Sequence, residues 1–287
     1  MIIFIWCVLG ILGVWFCYYL FNDFSRHRNS LEKVSWVKTG IIGFVVNFFD
    51  TLGIGAFAPQ TALLRFTKQT EDKHMPGTLN VANTLATLAE AAIFIHIIIV
   101  DPVTLIVMLV AATIGAVIGA GIVAKFSERK VRLTMGIALF VTACFMFANK
   151  MQWIQGSGTA IGLYGVKLAI AGIVNFILGA LMTAGIGLYA PCMALVFALG
   201  LSPKVAFPIM MGSCAFLMPP ASVKFIKEGA YNRKAAVGMA IPGIVGVLIA
   251  AFIVKSLNIE TLRWVVIGVV LYTSVTMLMA YFRKKAA

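Results

Sequence analysis

Thr51-Leu-Gly-Ile-Gly-Ala-Phe-Ala-Pro59 recurs 132 residues later as Thr183-Ala-Gly-Ile-Gly-Leu-Tyr-Ala-Pro191, and both copies lie deep inside apolar segments. The same offset pairs Phe44 with Phe176 and Pro76 with Pro208, so the match extends beyond the nine residues. Gly-Ile-Gly interrupts a helix because glycine carries the largest backbone entropy of any residue. The chain is therefore predicted to contain two copies of one membrane unit, each with a broken helix.

The composition is that of a protein embedded in a bilayer. Hydrophobic residues make up 61% of the chain, charged residues 11%, and the mean hydropathy is +1.00. Residues 1–21 carry no charge and lack a basic leader, so we expect a retained membrane helix. The five cysteines lie in apolar segments without Cys-x-x-Cys spacing, so no disulfide framework, metal site or cofactor is predicted.

The basic residues are unevenly distributed between the connecting segments. Eighteen of the 23 lysines and arginines lie in the segments 22–38, 65–75, 125–132, 224–234 and 283–287. The positive-inside rule assigns these segments to the cytoplasmic face. The net charge of +13 therefore orients the protein in its membrane, and no nucleic-acid partner is predicted.

The five segments rich in lysine and arginine lie on one face of the membrane only if the two glycine-broken units, 39–66 and 161–201, each enter and leave the membrane on the same side. Each unit is followed by three crossings, and because three is odd the second half is inverted relative to the first. We predict an all-α integral membrane protein with an inverted-topology repeat of a broken helical hairpin plus three transmembrane helices. Its parts are an N-terminal helix and cytoplasmic linker at 1–35, repeat 1 at 36–150 and inverted repeat 2 at 151–287, with the N-terminus outside and the C-terminus in the cytoplasm.

The doubled Gly-Ile-Gly-x-x-Ala-Pro in broken hairpins resembles the TauE/SafE family of sulfite and organosulfonate permeases, over residues of roughly 36–282. The resemblance implies a multi-pass transporter for small sulfur-containing oxyanions in the plasma (inner) membrane of a bacterium or archaeon. The motif is more specific for the family than for the substrate.

The glycine breaks themselves predict an anion site. Proline at 59 and 191 suits the first turn of a new helix, so the N–H groups of residues 55–58 and 187–190 would face the hairpin tips. Two opposed helix N-termini, each worth about half a positive charge, attract an anion without lysine or arginine. The alternative is that these glycines only allow close packing. The predicted substrate-binding residues at the breaks are Thr51, Gly53, Gly55, Ala56, Phe57, Gln60, Thr183, Gly185, Gly187, Leu188 and Tyr189.

A polar stripe lies on the segment 76–100. Asn80, Asn83, Thr87 and Glu90 are spaced by 3, 4 and 3 residues, which places them on one face of a helix. Such a stripe is expected to face the protein interior. We predict that the three uncharged residues and Ser213 contact substrate; the alternative is hydrogen bonding between helices.

Asp50 and Glu90 are the two acids placed well inside apolar segments. Burial disfavours their ionised forms and an anion would be repelled by them, so we predict proton coupling rather than direct ligation. Asp50 has an alternative role as a cap on free amides near Gly53. Lys167 either extends to the interface or attracts anions. Gly115-x-x-x-Gly119 and the region of Gly238, Pro242 and Gly246 are predicted to pack helices closely.

The function predicted from these features is secondary transport, with export by alternating access, and the expected partners are a small anionic substrate, the lipid bilayer and protons. An oligomer is compatible with the apolar surface. An anion channel and an uptake permease for another organic anion are alternatives that use the same ligands. A membrane enzyme is disfavoured, because Asp50 has no second intramembrane aspartate and His96 has no placed serine partner.

Overall fold

A computed structural model describes residues 2–52, 54–94, 100–153, 158–252 and 260–282. Within these ranges the protein is built from α-helices. The first six are α1 (Ile2–Arg26), α2 (Trp36–Thr51), α3 (Phe57–Phe66), α4 (Met75–Phe94), α5 (Pro102–Val123) and α6 (Glu128–Lys150). The next five are α7 (Gly165–Thr183), α8 (Tyr189–Ala198), α9 (Pro203–Lys227), α10 (Arg233–Phe252) and α11 (Glu260–Phe282).

After α1, the helices follow the same order twice. A helix, a break and a ten-residue helix are followed by three long helices, first as α2–α6 and then as α7–α11. The short helices α3 and α8 begin 132 residues apart, as do α6 and α11. The breaks lie where the two copies of Gly-Ile-Gly predict them.

The apolar side chains on the outside identify an integral membrane protein. Exposed examples include Ile3 on α1, Val110 on α5, Val166 on α7 and Ile241 on α10. Among the described residues, six helices are long and apolar enough to cross a membrane: α1, α5, α6, α7, α9 and α10. The fold is therefore an all-α integral membrane protein, as predicted.

Helices α4 and α9 occupy the centre of the bundle. In an 18-residue window of Pro208–Lys227 on α9, 83% of the residues are buried. Thr84 of α4 meets Ser222 of α9 with hydroxyl oxygens 2.8 Å apart. Helix α4 buries polar side chains along most of its length, which explains why it lacks the hydropathy of the outer helices.

Each half packs its first helix against a helix of the other half. A methyl group on Gly115 of α5 would overlap the carbonyl oxygen of Phe176 of α7, and one on Gly246 of α10 would overlap that of Phe44 of α2. The predicted close packing at Gly115 and Gly246 is thereby confirmed. The two carbonyls belong to residues paired by the 132-residue offset.

The ends of each broken unit meet. Before α2, the Ser35 N–H donates to Gln69 Oε1 after α3 at 2.8 Å. In the second half, Lys167 Nζ near the start of α7 donates to the Leu199 carbonyl after α8 at 3.4 Å. Each unit therefore enters and leaves on one end of the helical bundle.

An ion-pair cluster joins α3, α6 and α11 through Asp72 at the end of the bundle that holds Gln69. Asp72 Oδ2 accepts from Arg132 Nε of α6 at 2.8 Å, and Asp72 Oδ1 lies 3.3 Å from Arg65 Nε of α3. Arg65 Nη1 also donates to Thr276 Oγ1 of α11 at 2.6 Å. We call Arg65, Asp72, Arg132 and Thr276 the Asp72 cluster.

Candidate anion-binding site

The two breaks position the candidate site. Helix α2 ends at Thr51 and α3 begins at Phe57, while α7 ends at Thr183 and α8 begins at Tyr189. Pro59 and Pro191 are the third residues of the new helices, so each helix starts two residues earlier than its proline. Gly55 has a φ of +91° and Gly185 a φ of +103°, a backbone region that favours glycine.

The residues at the N-cap positions of α3 and α8 do not cap these helices with their own side chains. They are Ala56 and Leu188, and neither side chain forms a cap hydrogen bond. A Cβ added to Gly55 or Gly187 would meet no atom within 4 Å. An anion can therefore approach the backbone at both breaks, where the helix dipoles favour negative charge.

A cavity of about 300 Å³ connects the two breaks. It is lined by residues of the breaks and of α4, α6, α9 and α11. The predicted site residues on its wall are Asp50, Gly55, Ala56, Phe57, Asn83, Thr87, Gly187, Leu188 and Tyr189. The structure thus brings residues from both halves of the chain to one space.

Asp50 lies on the cavity wall and is 5% exposed. The backbone N–H of Ala56 interacts with its carboxyl group, which agrees with the alternative role as a cap for the α3 N-terminus. Its Oδ1 has no hydrogen-bond partner among the described residues. One oxygen of this carboxyl group is therefore buried and unpaired among the described residues, while the carboxyl group also engages the start of α3.

Glu90 joins the two breaks although it does not line the cavity. It is 1% exposed. Its Oε1 accepts from Thr51 Oγ1 of the first break at 2.6 Å, and its Oε2 accepts from the Tyr189 hydroxyl of the second break at 3.2 Å. Within the described part of the chain, neither Asp50 nor Glu90 forms a salt bridge.

The polar stripe of α4 is divided between the cavity and helix contacts. Asn83 lines the cavity, accepts from Asn47 Nδ2 of α2 at 3.0 Å and donates to Gln60 Oε1 of α3. Gln60 Nε2 in turn contacts Met239 Sδ of α10 at 3.1 Å. Asn80 donates to the Pro76 carbonyl of its own helix and does not reach the cavity wall. The alternative role, hydrogen bonding between helices, therefore applies to part of this stripe.

Other predicted residues lie behind the wall. Thr183 donates to the Ala180 carbonyl, and a Cβ on Gly185 would meet the Met135 side chain. Ser213 accepts from Asn175 Nδ2 of α7 at 3.1 Å, which links α9 to α7. Gly53 and His96 lie outside the described residues.

Part of the cavity wall comes from residues that were not predicted from the sequence. Thr142, Met146, Asn149 and Lys150 line it along α6, with spacings of 4, 3 and 1 that put them on one helical face. The remaining unpredicted wall residues are Ile54, Ala58, Met182, Met193, Met210, Cys214, Met218 and Ile267. The helical spacing on α6 was present in the sequence, but no charged residue lies in the middle of that helix to draw attention to it.

A comparison with protein-family models matches the chain to the family described as sulfite exporter TauE/SafE, over residues 2–146 and 167–287. The match includes the N-terminal helix, so it extends further than the region on which the sequence resemblance rests. Comparisons with curated proteins and with solved structures find no match.

Proposed function

Since the chain belongs to the sulfite exporter TauE/SafE family of membrane transporters, we propose that it exports a small sulfur-containing oxyanion, sulfite or an organosulfonate, by alternating access. The observation that carries the proposal is the cavity between two helix N-termini, one from each half of the chain, whose N-cap side chains form no cap hydrogen bond. An oxyanion with three oxygen acceptors suits such a site, because helix N-termini present N–H groups and a positive dipole end to an anion from both sides. At α3 the Ala56 N–H is already engaged by Asp50.

Binding at the breaks uses backbone rather than fixed cations. Gly55 and Gly187 leave space for the anion, and the amides at the starts of α3 and α8 donate to its oxygens. Asn83 and Thr87 supply polar side chains from α4. An anion held by dipoles and neutral donors binds without a permanent ion pair, so it can also leave, as transport requires.

The two halves are proposed to be inverted repeats. Helix α2 of the first half packs on α10 of the second, and α7 of the second half packs on α5 of the first. This reciprocal packing suits a pseudo-two-fold axis in the membrane plane. The end of the bundle that holds the Asp72 cluster carries most of the basic residues and is assigned to the cytoplasm. With this assignment the N-terminus is proposed to lie outside and the C-terminus inside, and the proposed location is the inner membrane of a bacterium or archaeon.

Alternating access requires the site to open to one face at a time. The cavity runs from the breaks to the C-terminal end of α6, where Asn149 is exposed. At the opposite end, the Asp72 cluster ties α3, α6 and α11 together. We assign this arrangement to an outward-facing state, in which the Asp72 cluster is the closed inner gate.

Export is the energetically simple direction. Moving an anion out of a cell with a negative interior gains about 2.3 kcal/mol per charge per 100 mV. Uptake would need a coupled ion. Protons are the proposed coupling ion, with Glu90 as the carrier, because its hydrogen bonds to Thr51 and Tyr189 connect it to both breaks.

Flux into proteoliposomes tests the proposal. We expect purified protein to move sulfite or a small sulfonate down an imposed potential, with saturable rates. Absence of flux for all sulfur oxyanions, with flux of a carboxylate instead, would point to the uptake permease for another organic anion. Single-channel conductance far above carrier turnover would favour the anion channel.

A further inference from the structure

We propose that the cavity-facing side of α6, formed by Thr142, Asn149 and Lys150, is a second anion subsite on the route between the breaks and the outer face. The inference rests on the proposed function, since it concerns the path of the same substrate. These three residues line the same cavity as the breaks, and we call them the α6 subsite.

The unpaired hydroxyl of Thr142 is the first observation that points to a ligand. Threonines on these helices commonly donate to the carbonyl four residues earlier, as Thr61, Thr113 and Thr134 do. The hydroxyl of Thr142 is buried and has no hydrogen-bond partner among the described residues. Leaving a buried hydroxyl unpaired is unfavourable, and an oxyanion in the cavity supplies the missing acceptor.

The positive charge of Lys150 on the cavity wall is the second observation that points to an anion. Among the described residues that line the cavity, it is the one lysine or arginine. It lies at the C-terminal end of α6, where the helix dipole alone would repel an anion, and its positive charge opposes that effect. Its ammonium also lies 5.9 Å from the ring centroid of Trp264 on α11, which holds the charge beside the cavity mouth.

Methionine side chains line much of the rest of the cavity. Met146 lies on α6 between Thr142 and Asn149, and Met182, Met193, Met210 and Met218 come from α7, α8 and α9. Flexible thioether side chains offer no donors to an oxyanion, but they adapt to different shapes. On the proposed route an anion therefore meets polar groups at the α6 subsite and at the breaks, and adaptable apolar side chains elsewhere on the wall.

Two substitutions with matched controls test the α6 subsite, with sulfite binding and flux as readouts. Lys150→Gln is expected to raise the KM about tenfold at low ionic strength with little change in maximal rate, and the effect should shrink as salt screens the charge. Lys150→Arg should retain the wild-type KM. The control is Lys130→Gln, because Lys130 is exposed near the other end of the same helix and does not line the cavity.

Thr142→Val separates a ligand contact from a structural role. Removing an unpaired buried hydroxyl should leave the melting temperature of the empty protein unchanged or higher, while sulfite affinity falls about tenfold. Thr134→Val is the control on the same helix, since Thr134 already bonds to the Lys130 carbonyl. A KM for Lys150→Gln equal to that of Lys130→Gln, with unchanged affinity in Thr142→Val, would overturn the α6 subsite while leaving the proposed function standing. A wild-type protein that neither binds nor moves any sulfur oxyanion would overturn both.

Discussion

Gly187 offers the cleanest residue-scale test of the anion site. Its φ lies outside the left-handed region that favours glycine, and an added Cβ meets open space in the cavity. Gly187→Val should therefore fold normally and lose sulfite binding by more than tenfold, because the branched side chain blocks approach to the backbone. Equilibrium binding to the purified variant measures this.

Gly268→Val is the matched control for that substitution. Gly268 is an exposed glycine on α11 that also has no atom within 4 Å of an added Cβ. Full sulfite affinity in a well-folded Gly187→Val would show that the breaks do not bind the anion. Gly55→Val is less informative, since its φ of +91° makes any side chain strained and folding would suffer as well.

Glu90 is expected to carry the coupled proton. Its carboxyl group is buried, forms no salt bridge among the described residues and is bonded to Thr51 and Tyr189. Glu90→Gln keeps the shape but cannot lose a proton, so sulfite should move without protons, as a pH dye inside proteoliposomes would report. Glu71→Gln, at an exposed acid outside the cavity, serves as the control.

An unchanged proton-to-sulfite ratio in Glu90→Gln would exclude Glu90 as the carrier. Asp50→Asn then tests the other buried carboxyl group, which lines the cavity directly. If the wild-type protein moves no protons with sulfite, the coupling proposal fails and potential-driven uniport remains.

At the scale of elements, separation of α3 from α11 is the movement that we propose opens the inner gate. Phe66 of α3 and Tyr272 of α11 pack with ring centroids 5.7 Å apart, next to the Asp72 cluster. Cysteines at these two positions, joined by a short thiol-reactive linker on a cysteine-free background, should stop transport while leaving sulfite binding from outside intact. Each single-cysteine variant treated with the same linker is the control. Undiminished transport after complete linking would contradict the assigned gate.

The elements were largely predictable, but their contacts were not. Apolar segments and the two Gly-Ile-Gly motifs predicted the helices and their breaks, because these features act through local backbone preference. The link from Glu90 to Tyr189 joins residues 99 positions apart, so no local pattern could predict it. Likewise, spacing singled out Asn83 and polarity singled out Ser213 as substrate contacts, but neither pattern shows what these side chains bond to. In the fold, Asn83 lies on the cavity wall and bonds to Asn47, and Ser213 bonds to Asn175.

For the whole molecule, the orientation is the main prediction left to test. The basic segments place residues 30 and 70 in the cytoplasm and residue 152 outside. Single cysteines at these positions, on a cysteine-free background, should divide accordingly when intact cells are labelled with a membrane-impermeant reagent. Labelling of residues 30 and 70 from opposite faces would remove the argument for inverted repeats.

Ligand-induced stabilisation of the purified protein tests whether the two opposed breaks form a site for a sulfur-containing oxyanion. A ligand that binds only the folded protein stabilises it by about 2.7 kcal/mol at a hundred times its Kd. Sulfite, sulfate, thiosulfate, sulfoacetate, taurine and simple carboxylates should be compared in the wild-type protein and in Gly187→Val. We expect a concentration-dependent rise in melting temperature for sulfite or a sulfonate, lost in Gly187→Val and kept in Gly268→Val. A rise with carboxylates alone, or an equal rise in Gly187→Val, would contradict this expectation.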